Sequence, residues 1–281
     1  MEFTQQEIQG LRKRAAQLRG DLIEMIPAGK VGHLGGSSSI MDVVAALYFK
    51  VMKVFDDPKD PRRDILVFSK GHAVLAQYAA LVELGYIDRE ALKHVKTLEC
   101  VLQGHPDMDH TPGIEAVTGS LGQGLSICLG MALGMRLEGK DSRVYCVLGD
   151  GELAEGQVWE AAMAAAAYKA DNLCAIVDDN GVQATAPTSQ VLAIPAIRDK
   201  WAAFGWQTIE IDGHDMGQIL NAFEQARGVK GKPTVILAKT VKGKGFSFAE
   251  GKAAYHNAAM NEDEYAQAKE TVRRMLEEVQ G

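Results

Sequence analysis

What this 281-residue chain lacks narrows its reading early. It has four cysteines, none in a C-x-x-C pair, so a zinc ribbon is not expected. It has no apolar run near the roughly 20 residues of a membrane helix, and its start, MEFTQQEIQG, is polar, unlike a signal peptide. It has no basic surplus: the formal net charge is −7, which leaves no electrostatic footprint for nucleic acid. There is no internal repeat and no G-x-G-x-x-G, the glycine spacing of a dinucleotide fold. The glycine runs read instead G-x-x-G-x-G from Gly119 to Gly124 and G-x-G-x-x-x-x-G from Gly149 to Gly156. What remains is ordinary globular composition, 47% hydrophobic and 24% charged, in a chain long enough for a large core. Cys146 and Cys174 lie in apolar strand-like runs where free thiols are common, so a reduced, cytoplasmic protein is expected.

Thr4-x-x-Glu7 is a capping-box pattern. It opens a helix carrying Leu11, Leu18, Leu22 and Met25 at helical spacing, which stops near Pro27-Ala28-Gly29. A glycine-rich loop, VGHLGGSSS, follows, then a helix with Met41, Val44, Ala45 and Leu47 on one face. From there strands and helices alternate. DILVFS, RVYCVLG, LCAIVDD, WQTIEID and TVILAKT read as strands; AVLAQYAALVEL, LGQGLSICLGMALGMRL, WEAAMAAAAYK and Met216 to Ala226 read as helices. Continuous apolar strands with intervening helices predict an α/β fold, doubly wound, its mainly parallel sheet covered on both faces. VKGKGFSFAEGKAAYHN is the longest stretch expected to lack regular structure, and a charged helix closes the chain near Val279. The whole, 1–281, reads as one domain with a helical lead-in over 1–60.

VLGDGELAEG, Val147 to Gly156, runs from a strand into a glycine turn of the kind that cradles phosphate, yet it holds Asp150, Glu152 and Glu155. In open parallel sheets, ligands bind beyond the carboxyl ends of strands. Asp150 stands at one such end, and Asn180 ends LCAIVDD, about one strand-helix-strand unit later. Two hard oxygen ligands with a backbone carbonyl just beyond suit magnesium or another divalent cation, which takes its remaining ligands from phosphate and water. The carboxylate would then hold the metal, and the metal the phosphate. Gly151 lets the backbone approach closely, and the helix opening near Glu155 adds N–H donors. The bland alternatives are a solvated turn acid at Asp150 and a first-turn acid at Glu155. Glu152 reads as plain surface.

Gly149-Asp150-Gly151 followed by Asn180 resembles the signature of thiamine-diphosphate enzymes. Four loops narrow the likeness: Gly32-His33-Leu34-Gly35-Gly36, Ser69-Lys70-Gly71-His72-Ala73, Gly104-His105-Pro106-Asp107 and Thr118 to Gly124 (TGSLGQG), with His256 after KGKGFSFAE. In that order they resemble the amino-terminal, diphosphate-binding half of the transketolase family, over nearly the whole chain. The resemblance implies that Asp150, the Asn180 side chain and the Val182 carbonyl bind magnesium. It implies that Gly151, His72 and His256 contact the diphosphate, and that Gly119 and Leu121 line the thiamine. His33, His105 and His256 would face the substrate as hydrogen-bond donors and proton shuttles, and Glu155 would join a carboxylate network across a subunit interface. The text after Asn180, Gly181 to Pro187, departs from the family's isoleucine-rich stretch, and Asn257 follows His256 where glycine is usual; no role is assigned to Ala184. His94 and His110 read as surface and His214, in DGHD, as a structural loop residue. KGKG around Lys242 and Lys244 could bind phosphate or be a solvated loop.

By the same resemblance, the glutamate that activates the cofactor and most groups holding a sugar phosphate belong to a second, pyrimidine-binding domain. The chain ends at Gly281, where that domain would begin in a single-chain transketolase. The expected function is therefore the first subunit of a two-gene transketolase. Together with a separate carboxy-terminal subunit it would form an α2β2 heterotetramer and transfer a two-carbon ketol unit between sugar phosphates. The alternatives are the α subunit of another two-gene thiamine-diphosphate enzyme, such as a 2-oxoacid dehydrogenase, and a non-catalytic remnant.

Overall fold

The computed structural model describes residues 3–279. Helix α1 (Gln5–Met25) opens on the anticipated box: the Glu7 N–H donates to Thr4 Oγ1 at 3.2 Å, and the Thr4 N–H donates back to the Glu7 carboxylate at 2.9 Å. The glycine-rich segment after it departs from the loop expectation. Leu34–Ser39 forms a short helix, α2, followed at once by α3 (Met41–Ala46). LGGSSS is a poor helix former, but every residue of α2 is buried, and tertiary packing overrides propensity.

The alternation then follows: β1 (Ile65–Phe68), α4 (Leu75–Glu83), α5 (Gly124–Leu137), β2 (Val144–Gly149), α6 (Gly156–Ala167) and β3 (Leu173–Asp179). Two short helices that the sequence reading omits come next, α7 (Thr188–Val191) and α8 (Ile197–Ala203). They are followed by β4 (Gln207–Asp212), α9 (Met216–Gly228), β5 (Thr234–Lys239) and α10 (Glu262–Glu278).

The five strands lie in the order β1-β2-β3-β5-β4, and every pairing is parallel. Alternate residues serve opposite faces. Tyr145 and Val147 of β2 and Cys174 and Ile176 of β3 pack with α1, α3, α4 and α9. Cys146 and Leu148, with Ala175 and Val177, pack with α5, α6 and the buried Trp201 and Trp206. The sheet is doubly wound, with a core on each face. Burial of each such aliphatic side chain contributes about 1.5–3 kcal/mol, so the carboxyl ends of the strands sit on a rigid platform. Cys128, Cys146 and Cys174 are buried free thiols, and Cys100 is half-buried. No helix among the described residues is long and apolar enough to cross a membrane.

Candidate active site

Because all strands are parallel, the segments leaving β1, β2, β3 and β5 emerge on one edge. Gly149 of β2 pairs with Asp178 of β3, which sets Asp150 and Asn180 on neighbouring strand ends. Asp150 is buried. Its Oδ1 accepts the Gly151 N–H at 2.8 Å, and its Oδ2 accepts the Gly181 N–H at 2.7 Å and the Thr188 hydroxyl at 3.1 Å. Burial, and then the neighbouring Asp178 carboxylate, push its pKa up. A buried carboxylate that accepts only from neutral donors is costly to ionise, and a cation would lower that cost.

Asn180 is oriented from behind. Its Nδ2 donates to Asp178 Oδ2 at 2.9 Å, and its Oδ1 accepts the Val182 N–H at 3.1 Å, which leaves one lone pair of that oxygen for a cation. Two positions on, the Val182 carbonyl accepts the Lys242 ammonium at 2.8 Å. A positive charge thus already rests on the third expected metal ligand. One carboxylate, one amide oxygen and one peptide carbonyl form a hard, oxygen-only donor set with a single formal charge. That set could hold magnesium with its other positions left to water and phosphate.

These groups line a cleft with His72, Leu121, Gly151 and His256. Its volume is about 170 Å³, below the roughly 300–1,000 Å³ of a complete small-molecule site. It fits the anionic end of a ligand rather than the whole. At Gly151 the backbone approaches closely: a Cβ would meet the Gln183 side chain at 2.7 Å, so a larger residue must displace Gln183 from the cleft wall.

Beyond the cleft four imidazoles converge from four separate loops. Ring centroids lie 4.7 Å apart for His72–His256, 5.3 Å for His33–His72, 5.5 Å for His33–His256 and 6.0 Å for His33–His105. Tyr78 fixes the third loop by donating its hydroxyl to the His105 carbonyl at 3.1 Å. Gly119 lies against the His105 ring. Burial and nearby lysines hold the rings neutral: His33 is pushed down to about 3, His72 to about 2 and His256 to about 4, and His105 is lowered as well. His256 Nδ1 lies 3.0 Å from Lys242 Nζ, so Nδ1 accepts and Nε2 carries the proton. His33 Nδ1 is buried without a partner.

Glu155 is not brought into this cluster. It is exposed on the flank, packed beside Gly122, as the residue preceding α6. The reading of Glu152 as surface is wrong. Glu152 is 2% exposed; its Oε1 accepts from the Ser69 hydroxyl and from the Gly122 N–H at 2.8 Å, and its Oε2 from the Gly149 N–H at 3.0 Å. The turn Gly151–Ala154 folds this side chain under the site, where two glycine-rich loops present N–H groups that need an acceptor. His94 and His110 are exposed, as expected. His214 is structural, as expected: its Nδ1 faces Asp42 at 2.8 Å and its Nε2 accepts the Val241 N–H at 2.9 Å.

Three features were missed or left open. Lys242, in KGKG, is buried, and burial lowers it to about 8. The glycines that follow it, which let the loop turn inward, were the available signal. Lys70 and Asp178 form a fully buried ion pair at 2.5 Å, joined by Ser39 Oγ at 2.5 Å and by the Thr240 hydroxyl. Ala184, given no role, lies on the cleft wall.

Comparison with known proteins agrees with this geometry. The family described as "Transketolase, thiamine diphosphate binding domain" matches residues 12–274. The chain is 38% identical over 275 residues to a subunit of the apulose-4-phosphate transketolase of Phocaeicola vulgatus, covering 98% of both chains. It is 45% identical over 256 residues to the 6-deoxy-6-sulfo-D-fructose transketolase subunit SqwG of a Clostridium species, covering 90% of this chain and 92% of that one. Among solved structures, the transketolase of Campylobacter jejuni superposes with a TM-score of 0.85 at 31% identity, over 96% of this chain but 43% of that one. The chain spans less than half the length of that solved transketolase.

Proposed function

The chain belongs to the transketolase family through its thiamine diphosphate binding domain, and from that premise we propose that it is the first subunit of a split transketolase. It acts with a separate chain that carries the pyrimidine-binding domain, in an α2β2 assembly in the cytoplasm. Residues 1–281 form a single diphosphate-binding domain in this reading. Relatives matched over nearly their whole length are named as transketolase subunits, which favours this reading over a 2-oxoacid dehydrogenase.

Asp150, Asn180 Oδ1 and the Val182 carbonyl would hold magnesium, and Lys242, beside that carbonyl, would place a positive charge next to the diphosphate. When bound, thiamine diphosphate supplies the carbanion chemistry that cleaves and re-forms a ketose carbon–carbon bond. This chain supplies placement, charge and proton handling. Leu121 and Gly119 would line the ring system, and His72 and Gly151 would border the diphosphate. His33, His105 and His256, neutral at pH 7, offer N–H to substrate oxygens without adding charge. His256 has its proton on Nε2 by virtue of Lys242, and that atom is the one to be shared with substrate. Glu155, exposed on the flank, fits a carboxylate network completed by a neighbouring chain. The two relatives' named substrates, a sugar phosphate and a sulfosugar, favour an anionic sugar as the substrate class in this reading.

The observation that carries the reading is the pairing of Asp150 and Asn180 on adjacent parallel strand ends beneath four neutral imidazoles. The experiment is reconstitution. Purified chain alone is expected to show negligible ketol transfer from a ketose phosphate, and adding the partner restores it with dependence on magnesium and thiamine diphosphate. Robust transfer by the isolated chain would overturn the split-enzyme reading.

A further inference from the structure

The cleft has cations at one end of the imidazole row, Lys242 and Lys70. A second pair stands at the other end and has no assigned purpose. Lys96 lies in the segment between the second and third histidine loops. Its Nζ donates to the Val31 carbonyl at 3.2 Å, two residues from His33, and its stem runs against Gly104, beside His105. The backbone bends to put it there: Lys96 has φ 63°, a left-handed conformation that is costly for a lysine, held by its N–H donating to the Leu102 carbonyl at 2.9 Å. Lys30, on the adjoining loop, is half-buried. Among the described residues neither lysine has a carboxylate partner. Each charge bears on its surroundings: burial and then Lys30 lower Lys96, and Lys96 lowers both His33 and His105. The buried, unpartnered Nδ1 of His33 completes the set. Two like charges gathered beside neutral donors repel one another unless an anion joins them.

We propose that Lys30 and Lys96 form a second oxyanion site, which takes the phosphate or sulfonate of the sugar substrate from this chain's side. The inference rests on the transketolase reading for the identity of the ligand, but the site itself does not. The diphosphate would sit at the Lys242 end, and His33 and His105 stand between that end and the new site. Lysine suits the role, as a point charge on a flexible stem that accepts a tetrahedral oxyanion without demanding one geometry. Selectivity for charged over neutral sugars would then be shared between the two chains.

Two measurements test this. In the reconstituted complex, kcat/KM is compared for D-glyceraldehyde 3-phosphate and D-glyceraldehyde as acceptors. Lys96→Met is expected to lower the preference for the phosphorylated acceptor roughly tenfold, the value of one charge-assisted hydrogen bond. Lys30→Met lowers it less, and Lys96→Arg retains it. A preference within about twofold of wild type in Lys96→Met overturns the proposal. The second measurement needs no turnover: inorganic phosphate is titrated into the full chain with its histidines isotopically labelled. Movement of the His33 and His105 resonances, lost in Lys96→Met, supports the site. Movement confined to His72 and His256 overturns it. A complex that transfers no ketol unit to either acceptor sinks the transketolase reading instead, and the imidazole titration still decides on the lysine pair.

Discussion

The ends of β2 and β3 lie side by side, and each buries a carboxylate beneath the site by a different device. Asp178 at the end of β3 takes an ammonium, Lys70, together with hydroxyls from Ser39 and Thr240 and the Asn180 amide. Burial raises its pKa, but Lys70 outweighs that, and the net shift is downward. Glu152 after β2 takes only neutral donors, one hydroxyl and two peptide N–H groups, and burial leaves its pKa raised. Both clamp loops. Asp178 ties the last residue of α2 to the segments after β1, β3 and β5, whereas Glu152 ties the Gly122 turn to Ser69 and Gly149. The lesson is that the Asn180 side of the site is fixed by a charge pair and the Gly119–Gly122 side by backbone donors. The two sides should therefore fail differently.

The hardest way to break that contrast is Lys70→Met. It leaves Asp178 buried with no cation, and loss of one partner of a buried pair costs about 3–5 kcal/mol. Urea unfolding of the single variant should show that loss, and Lys70→Met combined with Asp178→Leu should recover much of it. A single variant as stable as wild type would mean the pair does not exist in solution. Next comes Asp150→Asn, which spares both clamps. Folding stability should fall by no more than about 1–3 kcal/mol, because the new amide NH2 must face the Gly151 or Gly181 N–H while a buried charge beside Asp178 is removed. Magnesium-dependent affinity of the assembled complex for thiamine diphosphate should fall roughly hundredfold or more. Titration calorimetry with and without a chelator separates these outcomes; unchanged affinity would remove Asp150 from the metal set.

Much of this was legible in the sequence. Continuous apolar runs such as VYCVLG and LCAIVDD announced buried parallel strands, and glycine before His105 announced a loop, whereas at His33 and His72 the glycine marks the turn into a short helical segment. The pairing of Asp150 with Asn180 followed from strand spacing alone. What escaped has a common cause: the sequence carries no sign of which way a polar side chain turns at a strand end. Asp178 and Asp179 read alike as DD, yet one is sealed beneath the site and the other pairs with Lys239 at the surface. Glu152 and Glu155 likewise stand three apart in one turn with opposite fates. Helix α2 was missed because its stability comes from burial and not from its own residues.

Glu152→Gln is the gentler way to sharpen the comparison. The shape is kept, but an amide NH2 must replace one acceptor oxygen and face a peptide N–H. The cost, about 1–3 kcal/mol for an unsatisfied buried donor, is offset in part because the charge is gone. Asp178→Asn should cost more, since it strands Lys70. Equal losses in the two variants, measured by urea unfolding at pH 7, would erase the distinction between charge-paired and backbone-held clamps.

The smallest expected effect concerns the imidazoles that the two clamps support. His72 is held down to about 2 by burial and by Lys70. An unfolded histidine titrates near 6.5. Below that pH the unfolded chain binds a proton that the folded chain refuses, so stability falls as pH drops from about 6.5 toward the folded value. One such group contributes a slope of at most about 1.4 kcal/mol per pH unit. His33 and His256 add slopes of the same sign. His72→Gln should therefore flatten the loss of unfolding free energy between pH 6 and 5 by about 1 kcal/mol per unit, with little change at pH 8. Because Lys70 is part of what holds His72 neutral, the effect ties the imidazole row to the charge-paired side. An unaltered slope would mean that His72 takes up its proton in the folded chain as readily as in the unfolded one, and that burial and Lys70 do not hold it neutral.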